Sequence, residues 1–240
     1  EIIGEGSIDL LQGQITSDMA KVTDSQNCLG ALCNVKGRVE SSFVIVKKPK
    51  FENAFLLIGN REVMQTTEVI LQKYSPFYKL EICLNDDFKF IAIDEDYLSD
   101  TFPETDLDLQ VQDHKEFLRV HYLKKKFHLL LLKKGSDCFK NQEVSKEINE
   151  WEKDNITNKD FNIKPEDANK YTPHELGYHQ TDRLDFEKGC YTGQEIVARM
   201  HYRAKKLPFL LTGSLDAKES ASTEVLNQEG KKAGTLLSTA

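Results

Sequence analysis

The sequence predicts an α+β fold, with strands in clusters and helices set between them. Two observations carry this. Apolar runs of strand length come in groups, as in Phe117–Leu123 followed by Phe127–Leu132, without the regular strand–helix alternation of a parallel sheet. One long stretch, Arg61 to Tyr74, has helical spacing instead, with Val63, Met64, Val69, Ile70 and Leu71 forming an apolar side.

The elements follow in order. Residues 7–23 read as short helices, with Ser7 and Thr16 or Ser17 as caps. Cys28 to Lys47 reads as a hairpin turning near Lys36–Gly37, and Ala54 to Ile58 as a third strand. Pro76 ends the helix that starts at Arg61. Leu80–Leu84 and Phe88–Ile93 are further strands, and Asp94 to Asp113 reads as an acidic loop. Gln142 to Asp154 is a predicted helix, and the stretch from Asn155 to His179, rich in Asn, Pro and Gly, reads as irregular. Phe209–Ser214 and Ala233–Leu237 suit strands of a final β unit.

The chain has 240 residues, enough for one large domain or two to three small ones. Its longest apolar run, Leu129–Leu132, is strand-sized, so no membrane-spanning helix is expected. No signal-peptide pattern opens the chain. The net charge of −7 argues against direct RNA binding. The charge is uneven, however. No acidic residue falls between Ile196 and Leu215, where Arg199, Arg203, Lys205 and Lys206 lie. That stretch reads either as a solvated helix face or as a surface for carboxylates and phosphates. Five cysteines, at 28, 33, 83, 138 and 190, include no Cys-x-x-Cys pair. Cys28 and Cys33 are five apart in a strand and therefore point to opposite faces. A metal or cluster site within the chain is not expected, nor is one from His174, His179 and His201, which lack ligand spacing on one element. Free thiols suit a reducing, cytoplasmic setting.

The densest local signal is Lys188-Gly189-Cys190-Tyr191-Thr192-Gly193-Gln194-Glu195. Thr192 and Glu195 have capping-box spacing, which predicts a helix from Gly193 to about Arg203 with Ile196, Val197 and Met200 inward. Cys190 then sits two residues before a helix start and two after a lysine. Both the helix dipole and the Lys188 ammonium favour a thiolate there. The competing reading is a buried cysteine that merely fills space.

This octapeptide resembles the signature of the YgfZ family of folate-binding proteins, relatives of the glycine-cleavage T-protein, an aminomethyltransferase. Leu11-Gln12-Gly13-Gln14-Ile15-Thr16-Ser17-Asp18, Asn34-Val35-Lys36-Gly37-Arg38-Val39 and Lys73-Tyr74-Ser75-Pro76-Phe77-Tyr78-Lys79 resemble further family segments, in the family's order. The resemblance implies a T-protein-like fold of several subdomains. Residues 1–49 plus 140–204 would form a discontinuous folate-binding subdomain, and 50–139 a ferredoxin-like one. Residues 205–240 would begin a C-terminal β-barrel, and are too few to close it. From that shortness a C-terminus cut short is expected, and from an opening on Glu1 rather than Met a missing start.

The resemblance further implies a monomer that binds tetrahydrofolate or a derivative and supports iron–sulfur client enzymes, including those that thiolate transfer RNA. Cys190 and Lys188 are then the candidate reactive residues. Tyr191, Gln194, Glu195, Arg199 and Arg203 are the candidate folate contacts, with Tyr202 and Phe186 as further walls of the pterin slot. The alternative is a folate-dependent one-carbon transferase. Against it, the T-protein's acidic pair after the first hairpin turn falls here on Ser41 and Ser42. Glu40 is one residue off, which in a regular strand means the opposite face.

Overall fold

The computed structural model describes residues 1–139, 148–204, 207–214 and 224–239. The chain begins with β1 (Ile2–Ile3), α1 (Ser7–Gln14), β2 (Cys28–Cys33), β3 (Val39–Lys47), β4 (Ala54–Ile58), α2 (Arg61–Gln72) and β5 (Glu81–Ile82). β6 (Lys89–Asp94), α3 (Glu95–Thr101), β7 (Val111–Asp113), β8 (Phe117–Val120) and β9 (Phe127–Leu132) follow. α4 (Ile148–Thr157), α5 (Gln194–Arg203), β10 (Glu224–Leu226) and β11 (Lys232–Thr235) complete the described elements. The strands expected at Ala54–Ile58 and Phe127–Leu132 match β4 and β9 residue for residue.

Two antiparallel sheets result. The first has the order β2-β3-β4-β1-β5 and the second β6-β9-β8-β7. They meet through Leu29, Val44, Val46 and Leu56 of the first and Val111, Leu118, Val120 and Leu131 of the second. β2 is buried along its whole length because both its faces are covered. Cys28 and Leu32 join Phe43, Ile45 and Leu71 on one side. Ala31 and Cys33 join Tyr178, Tyr191 and Val197 on the other. The opposed placement of Cys28 and Cys33 is thus as the strand period predicts.

Several elements differ from the sequence reading. Ser7 does not cap α1. Gly6 holds that position, and the Ser7 hydroxyl donates instead to the Asn53 carbonyl at 3.3 Å. Thr16 is buried and bridges two segments, donating to Arg183 O at 2.5 Å and accepting from Ala31 N at 3.0 Å. In α2 the buried row is Val63, Thr67 and Leu71, while Val69 is exposed. Thr67 passes as apolar because its hydroxyl donates to the Val63 carbonyl at 2.8 Å. The acidic stretch after Asp94 is partly helical: Asp94 caps α3 by accepting from Tyr97 N at 2.9 Å, and Glu95 and Asp96 lie at the positive helix end.

The ladder of the first sheet runs on into β4, across residues 49 and 50, and the strands between 50 and 139 divide between both sheets. Phe209–Ser214 is not a strand. The expected barrel is not closed among the described residues; β10 and β11 form a two-stranded open ladder. The helix expected from Gln142 begins within the described residues at Ile148, and positions 142–147 lie outside them.

One buried ionic group ties these layers. Asp160 accepts from Arg183 Nη2 at 2.6 Å through one oxygen and from Lys125 Nζ at 2.5 Å through the other. Arg183 also donates to the carbonyls of Gly30 and Phe43, at 3.0 and 3.1 Å. Burial pushes the Asp160 pKa up, but Arg183 and Lys125 overcome it and hold the carboxyl below its usual range. Asp160→Ala would leave two buried cations unpaired. We expect a loss of about 3–5 kcal/mol in urea unfolding, against little change for an exposed acid such as Glu187→Ala.

Candidate functional site

The signature segment is built as a strap. Asp185 Oδ1 accepts from the amides of Glu187 and Lys188 at 2.8 and 3.2 Å, and its other oxygen pairs with Lys21 at 2.7 Å. Lys188 turns inward and gives its ammonium protons to the carbonyls of Gln12, Ile15 and Ser17, at 2.7, 2.8 and 2.9 Å. Burial pulls its pKa down to about 8. Tyr191 is buried in the core beside Cys33 and Val197, with the Lys188 ammonium 5.3 Å from its ring centre. Its hydroxyl pKa is driven up, chiefly by burial. Thr192 reaches α1, its hydroxyl donating to Gln14 Oε1 at 3.1 Å.

The helix start is therefore not a capping box. Gly193 holds the cap position with φ +82°, and no side chain caps α5. A side chain at Gly193 would run into the Asn34 carbonyl, and one at Gly37 would meet Ile196 at 3.0 Å. These two glycines let α5 lie against the first hairpin. Glu195, freed from capping, pairs with Arg199 at 2.9 Å on an exposed face.

The sequence-predicted residues divide accordingly. Cys190 is exposed, between the buried Lys188 and Tyr191. Lys188 is spent on carbonyls rather than aimed at a thiol. Tyr191 is core and walls no slot. Gln194 is half-buried at the first turn of α5, and Glu195, Arg199 and Arg203 fall along one exposed side of that helix. With Tyr191 in the core and the other four on one helix, these five folate candidates form no enclosed slot, because a single helix offers no opposite wall. Phe186 and Tyr202 also leave the expected slot, joining His174, His179 and His201 in a ring cluster. Phe186 stacks on His201 with centres 3.8 Å apart, and His174 stacks on His179 at 5.0 Å. Among the described residues no group of His, Cys, Asp and Glu is placed to hold a metal ion.

The acid after the first hairpin also needs correction. The register slips between Leu32 and Cys33: Leu32 faces Ser41, whereas Cys33 faces Val39. Glu40 is thus the extra residue of a bulge, and strict strand alternation does not apply to it. Its carboxyl is half-buried, and burial raises its pKa. Ser42 is buried and accepts from Ile163 N at 2.8 Å, while the buried Ser41 hydroxyl has no partner among the described residues.

The sequence reading also missed a cavity of about 630 Å³. Phe161, Leu210 and Leu237 give it apolar walls, and Asn162, Tyr171, Glu175, Lys159 and Lys164 give it polar groups. Its walls come from the stretch read as irregular and from the segments around β10 and β11, which no local motif marks. A second cavity, of about 420 Å³, lies between α2, β4 and β6 and is mostly apolar.

No family model matches the chain. It is similar to the tRNA-modifying protein YgfZ of Aliivibrio fischeri (strain MJ11), 27% identical over 253 aligned positions that cover 99% of this chain and 76% of that one. It is also similar to the tRNA-modifying protein YgfZ of Vibrio atlanticus (strain LGP32), at 26% identity, covering 84% of this chain and 62% of that protein. Among solved structures it resembles the glycine cleavage system aminomethyltransferase T from Bartonella henselae, with a TM-score of 0.64 at 12% identity over 98% of this chain and 69% of that one. The last likeness gives the fold: a T-protein-like arrangement of mixed helices and open sheets.

Two outcomes follow from this geometry. Burial pushes the thiols of Cys28 and Cys33 up to about 11 and about 12. The apolar, strand-like run around Cys83 predicts a buried thiol, but Cys83 is exposed. Burial, with Glu116 also opposing the charge, raises the half-buried Cys138. Maleimide labelling of the native protein, read by mass spectrometry, should therefore mark Cys190 and Cys83 first, and Cys28 and Cys33 only after unfolding.

The second outcome concerns His174, which is buried and whose pKa burial lowers from 6.5 to about 4, with His179 and His201 adding to the shift. Between those values the unfolded chain takes up the proton and the folded chain does not. Folding stability should fall as pH drops from about 6.5 to about 4. His174→Gln should flatten that part of the profile in urea titrations.

Proposed function

From its similarity to YgfZ proteins over nearly its whole length and its T-protein-like fold, we propose that the chain is a folate-dependent accessory factor in transfer-RNA modification. In this reading it supports assembly or repair of iron–sulfur clusters in client enzymes of the cytoplasm, including those that thiolate transfer RNA. The observation that carries the reading is the presentation of Cys190. Lys188 and Tyr191 are locked into the interior on either side, and the thiol between them is left exposed. A residue that merely filled space would be turned inward with its neighbours.

For the folate, the exposed face of α5 is a poor match and the cavity beside Phe161 a good one. Its volume falls within the range of small-molecule sites, and its lining combines apolar walls with a few polar groups. Asn162 and Glu175 would address the pterin edge, and Lys159 and Lys164 the glutamate carboxylates. A bound reduced folate would supply a carrier for a one-carbon unit. The one-carbon transferase reading keeps a single supporting observation, the half-buried Glu40 carboxyl at the bulge.

Calorimetry with tetrahydrofolate should give a dissociation constant on the order of micromolar, about −8 kcal/mol. Lys164→Ala should weaken binding severalfold. In a YgfZ-deficient bacterium, the wild-type chain should restore thiolated transfer-RNA nucleosides, and Cys190→Ser should not, although it folds. Full restoration by Cys190→Ser, or no heat with folate at millimolar concentration, would remove the respective half of the reading.

A further inference from the structure

We propose that the ring cluster at the C-terminal end of α5 is a stacking platform for an unpaired RNA base. The platform consists of Phe186, His201 and Tyr202, with Arg203 beside it. This rests on the role in transfer-RNA modification proposed above and adds that the chain touches the RNA itself.

Three separate segments bring the rings together. The loop around His174 and His179 supplies the floor, the signature strap supplies Phe186, and α5 supplies His201 and Tyr202. Phe186 and His201 lie nearly parallel, at 23° and 3.8 Å, and Tyr202 stands edge-on to both, at 6.1 and 4.9 Å. His174 lies under His201, with nitrogens 3.5 Å apart. A cluster that served only as core would be covered. Here His174 in the floor is buried and His179 half-buried, whereas Tyr202 is 68% exposed and His201 is exposed as well. The surface therefore offers aromatic faces on a rigid base.

The charge along this part of the sequence suits a nucleic acid. In a chain of net charge −7, no acidic residue occurs between Ile196 and Leu215, while Arg199, Arg203, Lys205 and Lys206 do. Arg203 is exposed, and its side chain has no partner among the described residues. Arg199 is engaged by Glu195 and becomes available when that pair opens. Aromatic faces joined to cations are how proteins hold single strands, since every base has a face to stack and every linkage a charge to meet. A duplex hides those faces. The acidity of the rest of the chain keeps non-specific attraction low, so affinity here depends on the rings.

The test is fluorescence anisotropy of the full chain with a short, fluorescein-labelled single-stranded RNA at low salt. Tyr202→Ala should weaken binding by roughly tenfold, the effect of removing one stacking partner, and Tyr202→Phe should retain it. Arg203→Ala should reduce the slope of log affinity against log salt by about 0.7. Glu195→Gln, which releases Arg199, should tighten binding. Equal affinity of wild type and Tyr202→Ala overturns the proposal. So does preference for a duplex of the same sequence, or displacement of the RNA by tetrahydrofolate, which would make the platform the folate site. Calorimetry with folate on the wild-type chain separates the two readings. Folate binding without RNA binding removes the platform alone, and RNA binding without folate binding removes the folate alone.

Discussion

The contact between Asp160 and Arg183 holds separate layers of this chain together. The guanidinium reaches the carbonyls of Gly30 in β2 and Phe43 in β3, while the carboxylate holds Lys125, which leads into β9. Lys125 in turn meets Tyr122 and Asn155. The group thus pins the first sheet, the turn before β9 and the loop after α4 at one point. Arginine suits it because its fork serves two carbonyls and a carboxylate at once. Such a group is no guarantee of net stability over an apolar substitute, but it tolerates few alternative arrangements. Once Arg183 is fixed, the strap that follows it has a fixed origin.

The strap inherits that position. Thr16 bonds the Arg183 carbonyl, Asp185 N bonds Thr16 O, and Lys188 closes onto the loop after α1. Each contact spans more than 160 residues of sequence. Most of the octapeptide is therefore architecture. Lysine satisfies carbonyls, tyrosine fills the core, threonine reaches α1, and glycine permits the turn into α5. Cys190 is the reactive side chain of the octapeptide that stays exposed, and the functional reading rests on it.

The sequence made the local elements legible and the long-range ones obscure. β4 and β9 were readable because each is a short apolar run between turn signals, and local pattern decides their bounds. The capping box failed for a nonlocal reason: Thr192 is claimed by Gln14, far away in sequence, and Gly193 takes the cap with a backbone that threonine would resist. The bulge at Glu40 was invisible because register is set by the partner strand, not by the strand itself. The reading of Cys83 failed because two short edge residues, Glu81 and Ile82, form all of β5 and cover little. Four of the five candidate folate residues come from one helix, and a helix face cannot enclose a ligand. The cavity that can is drawn from four separate stretches, none of which carries a signal alone.

The placement of α5 shows how these levels join. Its first turn rests on the hairpin because Gly37 and Gly193 remove the side chains that would hold it off. Val197 anchors the middle in the core. Past that point the helix leaves the body of the protein. His201 and Tyr202 are carried outward while Phe186, one residue past the Asp185 anchor, rises to meet them. The same docking that buries Lys188 and Tyr191 thus fixes both the exposed thiol and the rings of His201 and Tyr202. Two surface features that share no contact are positioned by one buried set of bonds, and any substitution that loosens the strap should be felt at both.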